Sequence, residues 1–191
     1  RHHLVGHQLL RGRDRARAGA QVVLRVTLDG EALDGALFLY GEQRAVADGD
    51  AQLMQSVSDN AYDFVHSSHC LEHMRDMDVA LSNWVRILKP GGHLVCLVPD
   101  EDLYEQGVFP STFNSDHKHT LTIYKKKSWS PKSVNVFSLI DALTFNIKVK
   151  KIELMDATYR YQIGKIHSQR VDQTMTVIGE CAIEIILQKQ A

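Results

Sequence analysis

Four side chains able to ligate a metal, His66, His69, Cys70 and His73, fall close together. His69 and His73 are spaced as one helical turn, the arrangement by which two imidazoles share an ion. A strand–turn–helix junction does not converge all four, however, so no metal is expected there. Imidazoles also accept protons near neutral pH, which makes His69 a candidate general base. A second group lies farther along as Asp116-His117-Lys118-His119. There His117, paired with Asp116 or with Asp100, is the other candidate base. Lys125-Lys126-Lys127 adds positive charge that would attract an anionic acceptor.

These groups need a scaffold, and the middle of the chain supplies a clear one. Tyr62–His66 (YDFVH) reads as a strand, and the small polar pair Ser67-Ser68 turns the chain. Met77, Ala80, Leu81, Trp84, Val85 and Leu88 then fall on one face of a 3.6-residue helix. Lys89-Pro90-Gly91-Gly92 is expected to stop that helix. His93–Val98 (HLVCLV) is unbroken apolar sequence, the signature of a central strand covered on both faces. Strand, helix and strand in this order predict parallel pairing through a right-handed crossover.

Upstream, Gln21–Leu28 and Ala36–Tyr40 read as strands separated by the turn-rich Asp29–Gly35, and Gln52–Val57 as a short helix. Downstream, a long loop from Asp100 to Ser128 precedes a helix expected from Ser130-Pro131 through Phe145, burying Val134, Phe137 and Ile140. Two strands, Ile147–Met155 and Cys181–Lys189, close the chain. The fold class is therefore α/β, a Rossmann-like doubly wound and mostly parallel sheet with an antiparallel C-terminal strand pair. Residues 1–20 lack a clear period and are expected to be an arm, a frayed helix or disordered, leaving 21–191 as one domain.

With 191 residues, 44% of them hydrophobic and 24% charged, the chain has an ordinary globular composition. Lys plus Arg total 22 against 23 acids, a formal net charge of −1. That balance argues against a generic nucleic-acid or membrane-surface binder. The average conceals an asymmetry, because residues 1–50 hold seven arginines and no lysine. Three scattered cysteines, Cys70, Cys96 and Cys181, make a poor disulfide framework and point to a reducing cytoplasm. No secretory signal is read in the first residues, and the start at Arg1 is expected to mark a fragment.

Residues 62–99, YDFVHSSHCLEHMRDMDVALSNWVRILKPGGHLVCLVP, resemble the second half of a class I S-adenosylmethionine-dependent methyltransferase. The resemblance rests on Tyr62-Asp63 in the strand, Leu71-Glu72-His73 at the helix start, and Arg86-Ile87-Leu88-Lys89-Pro90-Gly91-Gly92 at the helix end. Pro99 to Gly107, with Phe113 to Lys118, is similar to a bacterial subgroup of methyltransferase domains often associated with surface polysaccharides. The resemblance thus implies S-adenosylmethionine as cofactor and a small-molecule or sugar-linked acceptor.

It also implies site residues. Asp50, flanked by Gly49 and Ala51, stands where such enzymes contact the adenine amino group. Glu42 stands where an acid accepts hydrogen bonds from a ribose diol. His66, Ser67 and Ser68 end the central strand on the cofactor side. Parallel sheets bind ligands at the C-terminal strand edges, so His69, or His117 paired with Asp116 or Asp100, would be the base for a hydroxyl acceptor. The N-terminal quarter departs from the family. VVLRVTLDGEALDG lacks the Gly-x-Gly that lets a backbone approach the cofactor, and Arg25 or Thr27 stands where an acid is expected. The alternative reading is accordingly a cofactor-free interaction or regulatory domain. A nicotinamide oxidoreductase is disfavoured because no Gly-x-Gly-x-x-Gly follows the first strand.

Overall fold

The computed structural model describes residues 20–24, 26–28, 31–32, 36–41, 49–163, 169–176 and 179–191. The expected arm up to residue 19 and Glu42 lie outside these described residues. The N-terminal part contributes β1 (Ala20–Leu24), β2 (Val26–Leu28), β3 (Glu31–Ala32), β4 (Ala36–Gly41) and β5 (Gly49–Asp50). The centre is β6 (Tyr62–Ser68), helix α1 (Met77–Arg86) and β7 (Leu88–Pro99). After them come β8 (Thr120–Thr122), β9 (Ser133–Asn135), α2 (Val136–Asp141), β10 (Ile147–Met155) and β11 (Ala182–Lys189).

Six strands form the main sheet in the order β1-β4-β6-β7-β11-β10. At its heart β6 and β7 pair in parallel, as the strand–helix–strand pattern requires, with α1 as the crossover. β11 enters antiparallel between β7 and β10 and completes the expected C-terminal pair. The molecule is thus α/β and Rossmann-like. One side of the sheet differs from expectation in direction, because β1–β4 and β4–β6 both pair antiparallel. Parallel neighbours need a long crossover, commonly a helix. Among the described residues no helix lies between β1 and β6.

Helix α1 forms where its apolar stripe predicted. Asp76 caps it by accepting a hydrogen bond from Val79 N at 3.0 Å. Met77, Ala80, Leu81, Trp84 and Val85 are buried, each large side chain contributing about 1.5–3 kcal/mol of apolar burial. The helix ends at Arg86, and Leu88 already belongs to β7, earlier than the Lys-Pro-Gly-Gly signal suggested. Lys189, only 9% exposed, donates to Asn60 Oδ1, Arg86 O and Leu88 O at 2.9, 3.0 and 2.9 Å. Its ammonium therefore satisfies carbonyls at and just beyond the C-terminus of α1.

Two expected helices are corrected. Gln52–Val57 is a series of turns, with Leu53 and Met54 N donating to Asp50 O and Met54 at φ 47°. Arg86 supplies what a helix ladder would have done, donating to the carbonyls of Met54 and Val57 at 2.9 Å each. The helix expected from Ser130 starts only at Val136, because Ser133–Asn135 pairs in parallel with β8. Val136, Leu139 and Ile140 face the core; Val134 is half-buried and Phe137 is 49% exposed. All three cysteines are free and buried. Among the described residues no helix is long and apolar enough to cross a membrane.

Candidate active site

The C-terminal ends of β6 and β7 deliver most of the expected site residues to one edge of the sheet. Strand alternation separates them. Ser67 is fully buried beside the thiols of Cys70 and Cys96, so it packs the interior, whereas His66 and Ser68 are partly open. Burial pushes the Cys96 thiol up to about 12, which leaves it inert. Burial also lowers His66, against the opposing pull of Glu184. His69 N donates to Leu97 O at 2.9 Å, which holds His69 in the left-handed region at φ 49° with its side chain 40% exposed.

Asp50 ends β5 and reaches across to the segment after β6. Its Oδ1 accepts from Gln52 N at 2.8 Å, and its Oδ2 accepts from Arg75 at 2.7 Å. Trp84 Nε1 donates to Ala51 O at 2.8 Å, anchoring the turn after β5 on α1. The side chain of Asp50 remains 25% exposed. A carboxylate offers about four acceptor positions, so further donors can still be received.

Asp100 stands at the end of β7, 7% exposed, with Oδ1 accepting from Asp102 N and Leu103 N at 3.0 and 3.2 Å. Burial raises its carboxyl to about 6, only partly offset by those hydrogen bonds and by Lys125. Asp102, Leu103 and Gln106, in and just after the helical turn that it caps, form one wall of a cleft of about 530 Å³, which Asp100 adjoins without lining. Opposite stand Tyr159, Arg160, Tyr161, Arg170 and Gln173. Tyr159 and Tyr161 meet edge to face, with centroids 4.9 Å apart. Tyr159 OH donates to Leu103 O at 3.0 Å and Arg170 to Glu105 O at 3.0 Å, tying the two walls together. No motif singled out these wall residues, since they come from the turn-rich segment between β10 and β11.

The two histidine groups meet, but with partners other than those expected. His117 Nδ1 lies 2.7 Å from Glu105 Oε1, and neither Asp116 nor Asp100 is its partner. Asp116 Oδ2 instead meets His73 Nδ1 at 2.9 Å. Between the two imidazoles sits Glu72, fully buried, with His69, His73 and His117 nitrogens 3.5, 3.8 and 3.9 Å from its Oε1. Burial drives the Glu72 carboxyl up, yet these imidazoles outweigh it and hold the group below its ordinary value. The expected set of His66, His69, Cys70 and His73 does not converge; among the described residues Glu72, His73 and His117 do. Glu72 and Glu105 escaped sequence reasoning because their partners are distant in the chain. Lys125 is likewise committed, at 2.7 Å from both Glu101 and Asp102, leaving only Lys126 and Lys127 of the run exposed and unaccounted for.

A sheet with a parallel β–α–β centre, an acidic turn beside it and a cleft at the strand ends defines an α/β ligand-binding domain. The family model described as a methyltransferase domain matches residues 11–143, more than half of the chain. The chain belongs to the methyltransferase-domain family.

Solved structures similar to the chain include a methyltransferase complex with the activator Trm112 from Haloferax volcanii, at 16% identity and TM-score 0.48, covering 76% of this chain and 60% of that one. Others are S-adenosylmethionine-dependent methyltransferases from Mesorhizobium loti and Listeria monocytogenes. The first has 10% identity and TM-score 0.47, over 77% of this chain and 72% of that one. The second has 14% identity and TM-score 0.46, over 78% and 72%. Curated proteins show no match to the chain.

Proposed function

We propose that this domain transfers a methyl group from S-adenosylmethionine to a hydroxyl of a small, sugar-linked acceptor held in the cleft beside Asp100. The cleft itself carries the reading. Its volume of about 530 Å³ suits a small molecule. Tyr159 and Tyr161 offer aromatic faces for a saccharide ring, and Arg160 and Arg170 offer charge for a phosphate or carboxylate attached to it. Asp50 fits the adenine end of the cofactor, because its exposed carboxylate keeps acceptor positions beyond those filled by Gln52 and Arg75. His66 and Ser68, partly open at the end of β6, are the further candidates for contact with the cofactor, whereas the side chains of Ala51 and Ser67 are buried.

Bound S-adenosylmethionine supplies an electrophilic methyl carbon attacked in line by the acceptor oxygen. The protein's task is to orient that oxygen, exclude water and remove the proton. Asp100 serves as the base: a carboxyl raised to about 6 is ionised at neutral pH and more basic than an ordinary aspartate. His117, committed to Glu105, supports the loop rather than the chemistry, and His69 faces Glu72 and does not line the cleft. The three free cysteines support a cytoplasmic setting.

The test is incorporation of labelled methyl from S-adenosylmethionine into a panel of nucleotide sugars, simple glycosides, small amines and a protein substrate. Label in a sugar hydroxyl, reduced about 10²-fold or more in Asp100→Asn, is the expected result. Label confined to amines or protein would overturn the acceptor assignment.

A further inference from the structure

Glu72, His73 and His117 have a geometry that methyl transfer does not require. Glu72 and His73 are fully buried and His117 is 7% exposed. Both carboxylate oxygens of Glu72, and Nε2 of His73, lack any hydrogen-bond partner. Of the three imidazoles around the Glu72 carboxylate, that of His69 comes nearest, with Nδ1 at 3.5 Å, long for a hydrogen bond. A buried carboxylate left without donors is costly, about 1–3 kcal/mol or more. One ligand atom from each of the three side chains lies within 4.8 Å of the other two.

We propose that Glu72 Oε1, His73 Nε2 and His117 Nε2 bind a divalent ion of the zinc class, with the fourth position open toward His69. Zinc bonds of about 2.0–2.1 Å in a tetrahedron set ligand atoms about 3.4 Å apart. The measured 3.8 and 3.9 Å from Glu72 Oε1 to the two imidazole nitrogens require each ligand to close in by a few tenths of an ångström. Octahedral geometry, with adjacent ligands about 3.0 Å apart, is farther from what is observed.

The surroundings match those of metal-binding histidines, whose other ring nitrogen is held by a carboxylate that fixes tautomer and orientation. Here His73 Nδ1 meets Asp116 Oδ2 at 2.9 Å, and His117 Nδ1 meets Glu105 Oε1 at 2.7 Å. Both inward nitrogens are thereby set as lone-pair donors. The backbone is also in place: Lys118 N and His119 N donate to Glu72 O at 3.0 and 3.3 Å, clamping the two ligand-bearing segments together. The ion would pin the 114–119 loop onto the turn after β6. The site forms from protein alone and does not depend on cofactor or acceptor.

The test uses the full chain as purified and after dialysis against a chelator. Elemental analysis of the purified protein, and calorimetric titration of the stripped protein with zinc chloride, should each give one equivalent. Cobalt(II) should restore the intense visible absorption of four-coordinate cobalt rather than the weak bands of six-coordinate cobalt. Glu105→Gln leaves all ligands present and is expected to weaken zinc binding 10–100-fold with unchanged circular dichroism. Less than a tenth of an equivalent in the purified protein, with no saturable zinc uptake after stripping, would overturn the site. So would a cobalt spectrum, or a zinc affinity in Glu105→Gln, that does not change as stated. These readouts use no methyl donor, so their failure is separate from failure of the methyl-transfer reading.

Discussion

Replacing Asp100 by Asn should slow the enzyme and stabilise the fold in the same molecule. Asn keeps an oxygen for the two backbone donors, Asp102 N and Leu103 N, so the cap survives. What disappears is the charge. Burial raises the Asp100 carboxyl from 3.8 to about 6, so the ionised form is disfavoured in the folded protein. Between these values the folded state binds more protons than the unfolded state, and stability falls as pH rises. About two pH units at about 1.4 kcal/mol each amounts to roughly 3 kcal/mol by neutral pH. For a domain of this size that is about 6–12 °C in Tm. Thermal melts of both proteins from pH 4 to 7.5 should therefore nearly coincide at pH 4 and separate steadily, with Asp100→Asn more stable at pH 7.5. The comparison cancels the carboxylates common to both. Asp100→Ala, which loses the cap, should fall below Asp100→Asn by about 1 kcal/mol at every pH. An Asp100→Asn protein less stable than its parent at pH 7.5, or a difference that does not vary with pH, would refute the reasoning.

Three further changes probe the scaffold. Trp84→Phe keeps an aromatic ring but strands the Ala51 carbonyl, and urea unfolding should register a loss of about 1–3 kcal/mol. Lys189→Met takes a donor from Asn60 Oδ1, Arg86 O and Leu88 O, of which Arg86 O still accepts from Asn60 N, so a loss of about 2–3 kcal/mol is expected in the same assay. Lys125→Met uncovers buried Glu101. Burial pushes that carboxyl up, but donors from Lys125, Ser133, Ser128 and Thr120 hold it below its ordinary value. The stability it contributes is present above about pH 4.3, the unfolded value, and is lost as pH falls through the lower folded value. Denaturation at pH 7 should show Lys125→Met weaker by about 2–3 kcal/mol, with a shallower decline on acidification.

Local periodicity made the centre legible. The stripe from Met77 to Val85 and the apolar run from His93 to Val98 specified α1, β7 and their parallel neighbour before any coordinate. The strands near the C-terminus were similarly plain. The misread helices failed for tertiary reasons: Arg86 satisfies the carbonyls of the 52–57 turns from outside, and Ser133–Asn135 finds a strand partner in β8. Site residues divided in the same way. Asp100 was picked out by its place after an apolar strand, and Asp50 by the resemblance of Gly49-Asp50-Ala51 to a family pattern. The Glu72–His73–His117 cluster was not, because a loop far along the chain brings His117 to the turn after β6. Tyr159, Tyr161 and Arg170 carry no local signature; only the folded cleft assembles them.

The central claim is that the domain binds S-adenosylmethionine through Asp50 and uses it. Isothermal titration of the full chain with S-adenosylmethionine, and separately with its demethylated product, tests this most directly. One saturable site is expected for each ligand, weakened about tenfold or more in Asp50→Ala as a charge-assisted contact to the adenine amino group is lost. No heat from either ligand at millimolar concentration, or an affinity indifferent to Asp50, would contradict it.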